Sequence, residues 1–473
     1  MIWYHNKMNM QKEASNEQIV EYWETEQLPS MQKTSDGFKD LLKANYTDER
    51  LLEILQHPFL SREQIETQQL SRIKKLVKLA YNKIPFYRQK YKQVGFCLED
   101  LQTWQDYHKL PYVTKDELID AFPDRCVNLD YHHDDLFPTR SSGSSGQTLR
   151  IYVDPAAIIT DTLQGIRQFW LQTDGKYNPD HLLTHVYTVP WWVDHLNERD
   201  YQNMFISSLI APNRIGEILA TIKTDILSLY PSNLLSLLPH LSREAANKLI
   251  LAVTHSEMSS KQERARMAQI LGVPVLDEYS SEELTRIALE LPTGHYHVSE
   301  DSVRLDIVDP QTMTVKDTGT GLVVATNLLN EAMPFIRYVQ GDYVTVGEQE
   351  PSPVNWKQIE KVEGRFNDSF VDLNGREIPA GTILDISYRW MFDIGINIQQ
   401  FEIIQQAFNY IVVNLSEPTL ADDKELEDES KQHLKKLLEY VLGGEIEFEF
   451  NLVETIEKKG KKRRPIRREF NQS

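Results

Sequence analysis

Only two cysteines, Cys97 and Cys126, occur among 473 residues. One pair at that spacing builds neither a disulfide framework nor a thiolate metal site, so a reducing, cytoplasmic compartment is expected. Long hydrophobic runs are missing as well. Nowhere do about eighteen uncharged apolar residues follow one another, and no membrane span is expected. The opening residues MIWYHNKMNMQKEASNEQ lack the apolar stretch of a secretion signal. Positive charge is in deficit: 51 Lys and Arg stand against 70 Asp and Glu, a formal net charge of -19. Such a surface repels a phosphate backbone and argues against nucleic acid as a partner. It does not exclude ATP, which needs only a local cradle of backbone amides and a metal ion. No internal repeat or low-complexity tract occurs.

The composition itself, 41% hydrophobic and 26% charged, allows a core of normal size. The length suits two or three domains of roughly 100–200 residues each. The expected fold class is α/β. Residues 1–70 read as a helical amino-terminal extension packed on the body, 71–365 as a large mixed α/β domain, and 366–473 as a small α+β domain. Apolar spacing from Leu70 to Tyr91 predicts an amphipathic helix that Pro85 breaks. Short β-branched segments, LRIYV (149–153), THVYTV (184–189) and GLVVAT (321–326), alternate with helical stretches Arg243–Val253 and Ser260–Leu271. After Gly364 the pattern changes. FEIIQQ, NYIVVNL and EIEFEFNLV predict strands, and Asp422–Leu442 predicts a helix with an acid-loaded start.

Five stretches carry candidate chemistry. TRSSGSSGQTLRIYV (139–153) places Ser141, Ser142, Gly143, Ser144, Ser145 and Gly146 before a strand. Its glycines allow close backbone approach and its hydroxyls and amides suit phosphate oxygens, though a plain Ser/Gly hairpin turn reads equally well. LDEYSSEELTRIA (276–288) sets Tyr279 four residues before Glu283, a ring for a base and a carboxylate for Mg²⁺; the alternative is an acidic helix start capped by Ser280 or Ser281. In MPFIRYVQGDYVTV (333–346), Pro334 and Gly341 frame a strand carrying Arg337. Asp342 then sits at a turn, where it either simply makes the turn or accepts hydrogen bonds from a ribose diol. VEGRFNDSF carries Gly364, Arg365, Asn367 and Asp368 at the expected domain boundary. The run EKKGKKRRPIRREF reads as a solvated basic tail, a nucleic-acid patch, or a source of one lysine beside Gly460 that neutralises a phosphate.

In order and spacing these stretches together resemble the adenylate-forming superfamily, most closely its phenylacetate–CoA ligase-like branch. Further matches are PFYRQKY (85–91), LPYVTKDEL (110–118), HSEMSS (255–260) and YHVSEDSV after His295, and the resemblance covers roughly residues 70–470. It implies a large domain holding ATP and acid, and a small mobile domain that rotates between two half-reactions. It further implies that Ser141–Gly146 hold phosphates and that Glu283 coordinates Mg²⁺. Tyr279, flanked by Glu278 and Ser280, would lie against adenine, Asp342 on the ribose, and Arg365 on the nucleotide. Ser256 and Glu257 would fall in the nucleotide site, Asn367 at the hinge, and Lys461 between the acid carboxylate and the α-phosphate.

Four departures from that pattern stand out: Gln147 where relatives carry Lys, Ser280 with Glu282 around the Tyr-to-Glu segment, Asn367 for the hinge Asp, and Lys459 and Lys462 flanking Lys461. Trp191, Trp192 and His195 lie where relatives line the acid pocket; the two tryptophans either wall that pocket or fill the core of a loop. The expected activity is an AMP-forming ligation of an aryl or other small carboxylic acid to coenzyme A. Transfer to an acyl carrier protein or an amine, and a nucleotide-binding pseudoenzyme, are the alternatives. A monomer or homodimer is expected.

Overall fold

The computed structural model describes residues 47–141, 149–178, 180–187, 202–208, 210–365, 368–393, 400–416, 428–453, 456 and 464–470. Three helices, Asp48–Gln56, Arg62–Lys83 and Pro85–Gln93, open this part of the chain. Ser61 starts the second with a reciprocal cap: its Oγ accepts from the Gln64 amide while Gln64 Oε1 accepts from the Ser61 amide. The helix expected from Leu70 therefore begins a few turns earlier, at Arg62. Pro85 does end it, and then occupies the first position of the next helix, where a missing N–H costs nothing.

Phe137–Arg140 (β1) and Arg150–Val153 (β2) form an antiparallel hairpin. The main sheet then uses Leu182–Tyr187 (β3), Gln202–Ser207 (β4), Ile226–Leu229 (β5), Leu251–His255 (β6), Val275–Ser281 (β7), Thr285–Glu290 (β8) and Tyr296–Val298 (β9), with Gln358–Ile359 (β14) at one edge. Its order is β14-β9-β8-β7-β6-β5-β3-β4; the five strands from β7 to β4 are parallel and the rest antiparallel. Parallel strands need both faces covered. Helix Pro155–Gln172 covers one face through Ile158, Leu163, Ile166 and Phe169 against Leu183, Ile226, Val253 and Leu276. Helices Pro212–Ile222, Pro231–Leu237 and Lys261–Leu271 cover the other, against Val186, Leu227, Leu229 and Ala252.

A second, antiparallel sheet of five strands has the order β11-β10-β12-β13-β15: Val303–Val308 (β10), Val315–Lys316 (β11), Gly319–Asn327 (β12), Tyr338–Val346 (β13) and Lys361–Arg365 (β15). Beyond it, Phe370–Val371 (β16) pairs with Glu377–Ile378 (β17), followed by helix Ala380–Asp393. Gln400–Ala407 (β18), Tyr410–Ser416 (β19), Glu447–Leu452 (β20) and Ile466–Arg468 (β21) make a four-stranded sheet in the order β20-β19-β18-β21. Helix Asp428–Leu442 packs on this sheet through Leu434, Leu438 and Leu442, giving the carboxy-terminal segment its own core with Trp390, Phe401, Ile411 and Val413. The fold is the expected α/β class, a large mixed body with a smaller α+β unit.

Three local expectations are corrected. The stretch Arg243–Val253 is not one helix: the helix stops at Lys248, and Leu251–His255 is β6, buried on both faces. Its apolar run has no helical period to hold it on one face. No helix starts at Ser280 or Ser281, because β7 continues to Ser281 and turns into β8, with Ser281 Oγ accepting from the Leu284 amide at 3.1 Å. Asp342 is not a turn residue. It lies inside β13, whose register with β12 slips so that residues 340–342 oppose one residue of its neighbour, and Gly341 takes φ +84° there. That bulge re-aims Asp342. The acid-loaded start expected before Asp428 lies outside the described residues.

Candidate active site

The site is built where β7, β13 and β15 meet. Tyr279 lies on β7 opposite Ala288 of β8, with its ring buried in the largest apolar core. Its hydroxyl donates to Oδ2 of Asp342 at 2.8 Å. Burial first, then the Asp342 charge, push the Tyr279 hydroxyl well above its ordinary pKa, so it remains a donor. On the other side Asp342 is paired in register with Arg365 of β15, whose Nε lies 3.7 Å from Oδ1. Against burial, the carboxylates of Asp342, Glu283 and Asp368 keep that guanidinium charged.

Glu283 sits in the β7–β8 turn. Its carbonyl accepts from Asn327 Nδ2 at 2.9 Å and its carboxylate Oε1 accepts from the Tyr338 hydroxyl at 3.2 Å. Tyr338, at the start of β13, thus holds Glu283 as Tyr279 holds Asp342. Thr139, in the stem of the β1–β2 hairpin, donates to Glu282 Oε2 at 2.7 Å and so ties that hairpin to the same turn. Ser141 closes the hairpin loop at its base: its amide donates to Leu149 O and its Oγ accepts from the Leu149 amide. The residues that flank the Ser/Gly stretch, Thr139 and Ser141 on one side and Leu149 on the other, are thus anchored beside Glu282.

Lys115 completes the group. It opens helix Lys115–Ala121 and is half-buried. Burial lowers its ammonium pKa, Glu283 opposes that shift and Arg365 adds to it. Two carboxylates and two cations thus share one neighbourhood. Among the described residues no three His, Cys, Asp or Glu side chains are arranged as a metal cluster. A divalent ion fits here only in the manner of Mg²⁺ on a nucleotide, through one carboxylate with phosphate oxygens and water.

Other sequence candidates have partners elsewhere. Glu278 faces the opposite side of β7, where Arg286 Nη1 donates to it at 2.9 Å and lies in a network with Gln168 and Asp161 of helix Pro155–Gln172. Burial works to raise the Glu278 carboxyl, but Arg286 and His255 hold it below its ordinary value. Glu257 accepts from the amide and hydroxyl of Ser232, at the start of helix Pro231–Leu237. Ser256 is exposed at the end of β6 with φ +65°, and its Oγ lies 2.9 Å from His255 Nδ1. Ser280, in β7, stands opposite Arg286 across the β7–β8 pair. In the basic run, Arg464 pairs with Asp368, Arg467 with Glu402 and Glu469, and Arg468 with Glu377. These arginines are spent on internal ion pairs, and Ile466–Arg468 is a strand. Ser142, Gly143, Ser144, Ser145, Gly146 and Gln147, together with Trp191, Trp192, His195, Asn367 and Lys461, lie outside the described residues.

Sequence reasoning did not single out Lys115, Tyr338 or Thr139. Lys115 and Tyr338 stand inside matched motifs, LPYVTKDEL and MPFIRYVQGD, and Thr139 opens the Ser/Gly stretch. Nothing in spacing alone distinguishes them from surface or core residues.

No family model matches the chain. Over 330 residues, 66% of this chain and 73% of the relative, it is 25% identical to phenylacetate-coenzyme A ligase of Pseudomonas putida. Over 327 residues, 66% and 73% respectively, it is 24% identical to the enzyme of that name from Escherichia coli strain K12. Over about two thirds of its length the chain is thus similar to phenylacetate-coenzyme A ligases. Among solved structures, 2-hydroxyisobutyryl-CoA ligase in its postadenylation state, bound to 2-HIB-AMP, matches with a TM-score of 0.73 at 18% identity, over 87% of this chain and 90% of that one. ATP-bound MatB from Rhodopseudomonas palustris matches with 0.53 at 14% identity, over 71% and 68%. The chain thus shares its fold with these two solved structures. No helix among its described residues is long and apolar enough to cross a membrane.

Proposed function

We propose that this protein activates a small carboxylic acid with ATP, releasing pyrophosphate, and passes the acyl group from the adenylate to coenzyme A. The observation carrying this reading is the gathering of Glu283, Asp342, Arg365 and Lys115, each carboxylate braced by a tyrosine hydroxyl. A nucleotide polyphosphate needs both signs of charge at one place: cations for its oxygens, and carboxylates for a ribose diol and a divalent ion. In the activating step a carboxylate oxygen attacks the α-phosphorus and pyrophosphate leaves. Two anions must approach, so the barrier is largely electrostatic. In the second step a thiol attacks the mixed anhydride and AMP leaves.

Within this reading Asp342 accepts the ribose hydroxyls, with Tyr279 fixing its carboxylate and lying against the base. Arg365 and Lys115 face phosphate oxygens. Glu283 is the protein ligand for Mg²⁺, which when bound supplies charge neutralisation to the triphosphate. Ser141–Gly146 form the phosphate loop, and Lys461 reaches the acid carboxylate. Residues 71–365 form the ATP- and acid-binding domain. Residues 366–473 form the small domain, which turns about Asn367 so that Lys461 withdraws before the thiol attacks.

The test is ATP–pyrophosphate exchange over a panel of aryl, aliphatic and amino acids, with Lys461→Ala in parallel, followed by AMP release with and without coenzyme A. Exchange with a defined acid, lost in the variant, and AMP release dependent on coenzyme A are expected. Exchange without such dependence moves the acceptor to a carrier protein or amine. ATP binding with no exchange across the panel overturns the enzymatic reading.

A further inference from the structure

On the sheet face that helix Pro155–Gln172 covers, the first row of side chains is apolar: Leu183, Ile226, Val253 and Leu276. Toward the carboxyl ends of the same strands the character changes. His185 pairs in register with Ser228, and His255 with Glu278. Above them three rings meet: Tyr187 and His255 at 4.8 Å between centroids, Tyr230 and His255 at 5.4 Å, Tyr187 and Tyr230 at 6.0 Å. Tyr187 and Tyr230 are partly exposed and Ser256, beside His255, is exposed, which places the group at the open edge of the parallel strands. Ligands of open parallel sheets enter from that edge.

His185 lies beneath this group, 4% exposed, its ring stacked on Tyr187 at 5.1 Å and 28°. Among the described residues neither of its ring nitrogens has a hydrogen-bond partner. Burial, with His255 and Arg286 adding, lowers its pKa to about 3, so near neutral pH it carries one N–H donor and one lone pair. A buried polar atom left unmet is destabilising. An apolar residue at this position would avoid that cost, and such groups in native structures call for an explanation.

We propose that His185 reads a hydroxyl on the body of the acid, while the rings of Tyr187, Tyr230 and His255 flank a flat, aryl frame. A hydroxyl both donates and accepts, as a neutral imidazole requires. A second carboxylate would instead face Glu278 and Asp161, whose charge Arg286 already answers at 2.9 and 3.2 Å. An ammonium offers no acceptor for the imidazole N–H. The inference rests on the acid-activation reading and narrows it to hydroxyaryl acids.

Two readouts separate the two ideas. Equilibrium binding, without ATP, is measured for phenylacetate, its three ring-hydroxylated isomers and a ring-carboxylated analogue, using the wild type, His185→Phe and His185→Gln. Pyrophosphate exchange is then measured with the same acids. At least one hydroxylated isomer should bind the wild type tenfold or more tighter than phenylacetate. His185→Phe should abolish that preference, and His185→Gln should restore part of it. Equal binding of all acids, no binding at all, or a preference that survives His185→Phe overturns the inference. A hydroxyl preference without exchange keeps it and sinks acid activation instead; exchange without the preference does the reverse.

Discussion

The hydroxyl of Tyr279 donates to Oδ2 of Asp342 at 2.8 Å, joining β7 of the eight-stranded sheet to β13 of the five-stranded one. The bond fixes a carboxylate that a bulge in β13 has already turned toward the site, and Arg365 faces its other oxygen. A side chain held from both sides needs little reordering when a ligand arrives, which is how a scaffold sets up a binding group in advance.

Asp342→Asn should therefore weaken ATP binding more than Tyr279→Phe does. Removing the charge deletes a charge-assisted acceptor, about 1.5–3 kcal/mol or roughly 10–150-fold in affinity. Tyr279→Phe leaves the charge and loses only the brace, so a loss of a few-fold is expected. Titration with a fluorescent ATP analogue checks both; wild-type affinity in Asp342→Asn would remove Asp342 from the nucleotide site.

Lys115 gives a pH signature. Burial lowers its pKa, so its charge is present at low pH and is lost as pH rises through a value below the ordinary lysine range. Exchange activity that depends on that charge should fall on the alkaline side within the same window. Lys115→Arg keeps its charge there and should move the alkaline limb upward; Lys115→Met should lower exchange at all pH values, by tenfold or more. An unchanged alkaline limb in Lys115→Arg would assign that ionisation elsewhere.

The order of the motifs made the resemblance to adenylate-forming enzymes legible in the chain, and the strand-rich carboxy-terminal unit was equally visible in FEIIQQ, NYIVVNL and EIEFEFNLV. Side-chain pairing was not. Glu278 and Glu283 lie on one strand-and-turn segment, yet Glu278 points to Arg286 while Glu283 meets Tyr338. Glu278 lies within β7 and Glu283 in the turn beyond it, a division that exists only because β8 pairs back on β7. Lys115 and Glu283 are 168 positions apart by their numbers, and their proximity is set by how the segment before β1 docks. Val113 bridges Tyr338 there, which no local pattern announces.

Stability of the scaffold beneath the site should hinge on Arg264 and Glu290. Arg264 Nε and Nη2 donate to the two Glu290 oxygens at 2.9 and 3.0 Å, and the Asp277 amide donates to Glu290 as well. Both side chains are buried. Arg264→Met strands a buried carboxylate and should cost about 3–5 kcal/mol, whereas the double variant with Glu290→Met should recover most of it. Urea midpoints followed by tryptophan fluorescence read the difference. Equal midpoints for the single and double variants would mean that the pair is not coupled.

Gly364 stands where the large body meets the carboxy-terminal unit, immediately before Arg365. Its φ is +90°, and a Cβ built there would lie 2.8 Å from Met258 Sδ and 3.5 Å from Ala380 Cβ. Met258, from the loop after β6, packs on the core of the carboxy-terminal unit, so an alanine at 364 presses on the contact between the two. Gly364→Ala carries two separable penalties. The left-handed backbone costs roughly 1–2 kcal/mol whatever surrounds it, and the clash depends on how far a flexible thioether yields. Combining Gly364→Ala with Met258→Ala removes the second penalty and leaves the first. The single variant should lower the thermal midpoint and raise the KM for ATP, because Arg365 shares its backbone. The double variant should recover part of the KM effect but little of the strain. Full recovery of both would show that the methionine contact alone matters and that the positive φ is not required; no effect in the single variant would show that β15 can rebuild this corner freely.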